Sequence, residues 1–137
     1  MHKLIQLNKI NSHLTEVILN RPEKLNAINN DMLGDLFEAF TEIRDNPDIW
    51  VVVLTGAGRA FCTGHDLVMG RNEPRGDTDD FYVFLSNLWK PVIAAVNGYC
   101  LAQGGGLALL SAVSYTHLRA HETDSYLVCR LVLEKKK

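Results

Sequence analysis

Apolar and polar positions along this chain follow two periods, one of strands and one of helices. Leu4 to Asn8 and Thr15 to Leu19 read as short strands joined through the turn-prone Asn11-Ser12-His13, so a β-hairpin is expected. Asn30 or Asp31 is placed to cap a helix, and Met32, Leu33, Leu36, Phe37, Phe40 and Ile43 recur at helical spacing up to about Asn46. Ile49 to Leu54 is a continuous apolar run rich in valine, the pattern of a strand buried on both faces. Asp77 or Thr78 caps a second helix through roughly Trp89, with Phe81, Phe84, Leu85 and Leu88 on one face, and Lys90-Pro91 breaks it. Val92 to Val96 is a second buried strand, and Leu107 to Leu110 opens an apolar helix after a run of glycines. Strands alternating with helices predict an α/β fold.

Two loops carry the candidate chemistry. The first follows the Ile49–Leu54 strand, where Thr55-Gly56-Ala57-Gly58 turns the backbone. Small residues follow (Ala60, Cys62, Thr63, Gly64), then His65 and Asp66. Little side-chain bulk there blocks backbone N–H groups from a ligand, and the carboxyl end of a buried strand is where α/β proteins place their sites. A dinucleotide fingerprint fails, because Phe61 stands at its third glycine position. An ordinary Gly-rich turn fits the same residues. The second loop is Gln103-Gly104-Gly105-Gly106 after Asn97-Gly98-Tyr99. A helix starting at such a cluster offers free N–H groups to a phosphate, a carboxylate or an oxyanion. Close helix–strand packing selects glycine equally well.

Composition narrows the field. The 137 residues amount to at most one domain, and a net charge of −2 points away from nucleic acid and anionic membrane surfaces. No apolar run is long enough to span a bilayer, and MHKLIQLNKI lacks the unbroken apolar core of a signal peptide. Cys62, Cys100 and Cys129 are too widely spaced for a disulfide framework, which suits a reducing cytoplasm, and Cys62 and Cys100 are expected to act as small buried hydrophobes. Arg71 to Asp80 reads as a polar loop, and its Arg75-Gly76-Asp77 tripeptide as chance.

Three segments, LNRPEKLNAI, VVVLTGAGRAFCTGHDL and KPVIAAVNGYCLAQGGGLALL, resemble in order and spacing the N-terminal half of enoyl-CoA hydratase/isomerase (crotonase) proteins. The resemblance covers Leu4 to Ser111. It implies a crotonase-like ββα superhelix, incomplete here, an acyl-CoA substrate with no further cofactor or metal, and a thioester enolate held by two backbone N–H groups. By motif position His65 supplies the first N–H. A gapless alignment gives Gln103 the second, and a two-residue slip would give it to Gly105 instead. Lys24, Leu25 and Ala27 match the segment that wraps the adenine end of CoA. Thr63, Gly64, Asp66 and Leu67 match positions lining the CoA and acyl groups, and Gly104 joins them from the glycine run. The His65 imidazole is expected to be solvated or packed, since the family uses this position's N–H. A homotrimer or hexamer is implied for the full-length protein.

The departure is Gly106, where typical hydratases carry a catalytic glutamate. Hydration needs paired carboxylates to position water and move its proton, and glycine does neither. An isomerase or another enolate reaction with a single acid or base is therefore expected over two-glutamate hydration. The alternative is a non-catalytic acyl-CoA-binding relative, or an inactive fragment.

Beyond Ser111 the resemblance stops. His117 and His121 sit four apart, with Glu122 and Cys129 nearby, in the spacing of zinc ligands on a helix. The same stretch, however, resembles a translated sequencing-library adapter: VSYTHLRAHET, a variable index, then LVCRL-x-LEKKK running into poly-A. The expectation is a partial crotonase-like domain over residues 1–111 and a non-native tail over 112–137. A fragment of that kind is expected to expose the apolar faces of Val51–Leu54 and Val92–Val96.

Overall fold

The computed structural model describes residues 2–67 and 78–111, together with the backbone of 113–116. Strands β1 (Ile5–Lys9) and β2 (Leu14–Leu19) form the expected antiparallel hairpin, pairing Leu7 with Val17. Asn11 closes it: its side-chain oxygen accepts from the backbone N–H groups of His13 and Leu14. A short 3-10 turn at Pro22–Lys24 leads to helix α1 (Asn30–Asp45). Strand β3 (Val51–Gly56) then pairs in parallel with β2, and β4 (Ala60–Cys62) leaves the sheet. Helix α2 (Thr78–Ser86), strands β5 (Val92–Val96) and β6 (Tyr99–Cys100), helix α3 (Gln103–Leu110) and strand β7 (Val113–Thr116) complete the order. One sheet runs β1-β2-β3-β5-β7, parallel from β2 onward, and β4 pairs with β6 in a second, two-stranded sheet.

The core lies on one side of the large sheet. Val17, Leu19, Val52, Leu54, Val92, Ala94 and Val96 join Met32, Leu36, Phe40 and Ile43 of α1, and Phe81 and Leu85 of α2, in a single buried cluster. Burying one such leucine or phenylalanine stabilises the fold by about 1.5–3 kcal/mol before entropy is counted. Phe37 and Phe40 meet Phe81 edge-on, with centroids 5.1 and 5.7 Å apart. This aromatic seam fixes α2 against α1.

Lys90, 2% exposed, follows α2 and donates to the carbonyls of Ile43 and Asn46, each at 2.5 Å. An ammonium there satisfies carbonyls that the C-terminus of α1 leaves unpaired and sits at the negative end of its dipole. It ties the turn before β5 to the end of α1.

Several expectations need correction. The helix cap is Asn29, whose side chain accepts from Met32 N at 2.9 Å; Asn30 and Asp31 are already helical. The third helix begins at Gln103, so the glycines lie within its first turn rather than before it. Helix α2 ends at Ser86, and Trp89 lies beyond it. Strand β3 is buried on one face only: Val52, Leu54 and Gly56 are buried, while Val51, Val53 and Thr55 are half-buried. The reason is that the buried helical side chains share their cluster with Val52 and Leu54 and not with Val51 and Val53. The expected exposure of Val51–Leu54 and Val92–Val96 holds only in part: Val52, Leu54, Val92, Ala94 and Val96 are covered by the helices, and the opposite face of Val51, Val53, Ile93 and Ala95 is half-buried. Most of the polar loop, Cys129, the His117/His121 pair and residues 117–137 lie outside the described residues.

Candidate functional site

The carboxyl ends of β2, β3 and β5 gather three loops, and two asparagines hold them. Asn97, just past β5, donates to the carbonyls of Gly56 (2.7 Å) and Gly58 (3.0 Å) and accepts from Gly56 N (3.1 Å). Asn26, fully buried, donates to the carbonyls of Ala57 (3.0 Å) and Ala60 (2.8 Å) and accepts from Arg21 N (2.8 Å). An amide is suited to both tasks because it donates and accepts at once. Asn26 also sits at φ 54°, a left-handed conformation that asparagine tolerates better than most residues.

Strands β4 and β6, clamped in this way, run side by side into the two glycine loops. Cys62 lies opposite Cys100, and Leu101 N donates to Cys62 O at 3.0 Å. Gly64 has φ +99°, and a Cβ there would lie 2.9 Å from the Ala102 Cβ and 3.1 Å from the Gln103 Oε1. Only glycine lets the loops approach so closely. Ala102 itself is held at φ 47°, a strained conformation at the point of contact.

The backbone geometry leaves two N–H groups at this junction. His65 forms a parallel bridge with Ile28, in which Ile28 N donates to Gly64 O and Asp66 N donates to Ile28 O. A parallel bridge is bonded through the residues before and after its centre, so the N–H of His65 itself faces away from Ile28. Gln103 is the first residue of α3, where an N–H has no acceptor within the helix.

Helix α2 lies over both loops. Thr78 Oγ1 is 3.4 Å from His65 Nε2, and one turn later the Tyr82 hydroxyl donates to Gln103 O at 2.8 Å. Burial pushes the Tyr82 hydroxyl well above its ordinary pKa, and the neighbouring Cys62 and Asp79 push the same way. Burial likewise raises the Cys62 thiol to about 11, against an opposing backbone hydrogen bond at Gly64. A thiol so protonated is a packing group and not a nucleophile. Cys62 and Cys100 are both buried free cysteines, as expected.

The remaining expected residues are distributed as follows. Thr63 Oγ1 donates to Leu25 O at 3.2 Å, joining the first glycine loop to the 3-10 turn. Leu25 is half-buried and left-handed at φ 52°, Lys24 is exposed, and Ala27 is buried with its carbonyl accepting from Arg21 Nη1. The Asp66 carboxylate forms a 2.6 Å ion pair with Arg21, and these side chains are only 9% and 13% exposed. Its oxygens therefore hold the loops together more than they line a cleft. Leu67 is exposed, Gly104 is packed under Cys62, and the His65 ring is half-buried. Gly106 faces Tyr82: a Cβ would lie 3.1 Å from its hydroxyl oxygen.

Arg21, Asn26, Asn97 and Tyr82 were not singled out from the sequence. Their signal is weak, since Asn97 beside Gly98 reads as an ordinary turn residue, Arg21 and Asn26 as polar loop residues, and Tyr82 as the edge of an amphipathic face. Among the described residues, His2, Asp35 and Glu38 bring donor atoms within 4.8 Å of one another, but Asp35 is already bonded to the backbone of Lys3 and Leu4. No helix among the described residues is long and apolar enough to cross a membrane.

A parallel α/β sheet whose strand ends meet in two abutting glycine loops defines the class. The enoyl-CoA hydratase/isomerase family model matches residues 9–123, and the chain belongs to that family. It is 41% identical over 113 residues to the (E)-benzylidenesuccinyl-CoA hydratase of Thauera aromatica, covering 76% of this chain and 43% of that one. It is 36% identical over 114 residues to the 1,2-epoxyphenylacetyl-CoA isomerase of Escherichia coli, covering 75% and 44%. The crystal structure of an enoyl-CoA hydratase from Bacillus anthracis superimposes with a TM-score of 0.73 at 29% identity, covering 83% of this chain and 47% of that one. The fold is therefore that of the crotonase family, and the chain spans less than half the length of these relatives.

Proposed function

We propose that this chain supplies the oxyanion-binding half of an acyl-CoA enzyme, with the N–H groups of His65 and Gln103 converging on a thioester oxygen. The contact of the Gly64 and Ala102 loops carries the reading, because it sets two backbone segments with outward N–H groups side by side. Such donors act as the α-proton leaves and the electron pair moves onto the thioester oxygen, and they need no reorganisation to do so. Lys24, Leu25, Ala27, Thr63, Gly64, Asp66, Leu67 and Gly104 are proposed around the CoA and acyl groups, with Asp66 acting through its bond to Arg21. Acyl-CoA enters as substrate, in the cytoplasm, and the whole protein assembles as a trimer or hexamer.

Glycine at 106 favours double-bond migration, or another enolate reaction with one acid or base, over hydration by two glutamates. The complete gene product, offered a 3-enoyl-CoA and a 2-enoyl-CoA, is expected to move the double bond of the first faster than it adds water to the second. Faster hydration would overturn the isomerase reading. Binding of both without turnover would favour the non-catalytic relative, and no binding would overturn the acyl-CoA site.

Residues 112–137 are proposed to be a non-native tail. Resequencing across the Ser111 codon from a transposase-free library is expected to show an aspartate codon and a further strand. VSYTHLRAHET in genomic DNA would refute this.

A further inference from the structure

The side chain missing at position 106 is matched by one from another element. Tyr82, on α2, places its hydroxyl oxygen 3.1 Å, its Cζ 3.2 Å and a ring-edge carbon 3.3 Å from where a Cβ on Gly106 would stand. These distances are tighter than most real Cβ contacts, so a side chain at 106 would push the phenol aside by a few tenths of an ångström. The same hydroxyl donates to Gln103 O at 2.8 Å, in the first turn of α3, three residues before Gly106. One turn earlier Thr78 stands 3.4 Å from the His65 ring. One edge of α2, spaced i and i+4, thus touches both segments whose N–H groups are proposed to meet the thioester.

We infer that Tyr82 and Gly106 are a matched pair, in which the phenol takes the space a side chain at 106 would need and acts as a positioning residue that holds the first turn of α3 for the Gln103 N–H. This rests on the acyl-thioester reading above. Held protonated by burial, the hydroxyl keeps its proton for the Gln103 carbonyl at any working pH.

The test uses the complete gene product and a 4-dimethylaminocinnamoyl-CoA probe, whose absorption moves to the red as its thioester carbonyl is polarised. Tyr82→Phe is expected to leave the dissociation constant within about twofold of the parent while losing about half of the red shift, since binding rests on many contacts and polarisation on two donors. Gly106→Ala should lose a smaller share, because the methyl pushes the phenol a few tenths of an ångström off its hydrogen bond to Gln103. In a Tyr82→Leu background the same glycine change should add no further loss, the non-additivity expected of residues in contact. A full red shift in Tyr82→Phe, or additive losses in the double variant, would overturn the inference. If the parent protein binds the probe with no red shift, or does not bind it, the acyl-thioester reading fails first. Should Tyr82→Phe fail to fold, the Gly106→Ala and Tyr82→Leu cycle decides alone.

Discussion

In a Gly104→Ala protein the first turn of α3 is expected to lift away from β4, with a marked loss of stability and of acyl-CoA binding together. A Cβ at 104 would collide with the carbonyl oxygen of Cys62, and would also stand 2.8 Å from its carbonyl carbon and 2.9 Å from its Cβ. The obstacle is backbone, and that carbonyl already accepts from Leu101 N. Neither side can yield without breaking the β4–β6 alignment that sets the two glycine loops in contact. Overpacking of this kind costs about 1–3 kcal/mol and occasionally more, and the upper end applies because no flexible side chain can give way. Alanine's better helix propensity returns only about 1 kcal/mol. Urea unfolding of the parent and variant measures the difference, and a variant within about 0.5 kcal/mol of the parent would refute the account. Gly105, with nothing within 4 Å of its would-be Cβ, is the control: Gly105→Ala should be neutral or stabilising.

Asn26→Asp should be at least as damaging, although it changes one atom. The Asn26 nitrogen donates to two carbonyls, and aspartate would face both with an oxygen in a fully buried position. Two lost hydrogen bonds and a buried carboxylate left against acceptors cost on the order of 4 kcal/mol. The defect should depend on pH in a defined direction. The folded state favours the protonated acid, which can still donate one bond, so its carboxyl pKa is raised over that of the unfolded chain. Stability is then highest below the unfolded value and falls as pH rises. The stability gap to the parent should therefore be larger at about pH 7 than at about pH 4, near the ordinary aspartate pKa. An equal gap at both would mean that the amide's donors do not hold the Gly56–Ala60 turn. Asn26→Ala, which removes donors and acceptor without adding a charge, should show no such dependence.

Much of this fold is legible in periodicity because its causes are local. Met32, Leu36, Phe40 and Ile43 recur at helical spacing, and all four are buried on α1. The hairpin follows from alternation on either side of Asn11, and the asparagine's own turn bonds close it. The depth of β3's burial is not legible in the sequence, for the opposite reason. A run of valines carries no record of which side the helices cover, and only packing distinguishes Val52 from Val51. The first turn of α3 is hard to place from sequence because glycine has poor helix propensity, and its packing against Cys62 outweighs that cost.

By itself the sequence determined the class of the fold, the order of β1, β2, α1, β3, α2 and β5, and the two small-residue loops with His65 and Gln103 at their ends, but not the short strands β4 and β6. These depend on residue type and on spacing over a few positions. Only the tertiary structure decided that Asn26 and Asn97 clamp the loops, that Arg21 engages Asp66, and that Tyr82 covers Gly106. Those partners are separated by 31 to 45 residues in three of the four cases, as in Asn26 with Ala57 and Ala60, Asn97 with Gly56, and Arg21 with Asp66. Hydrogen bonds and close contacts across such distances exist only after the sheet has brought the strand ends together, so no local pattern encodes them.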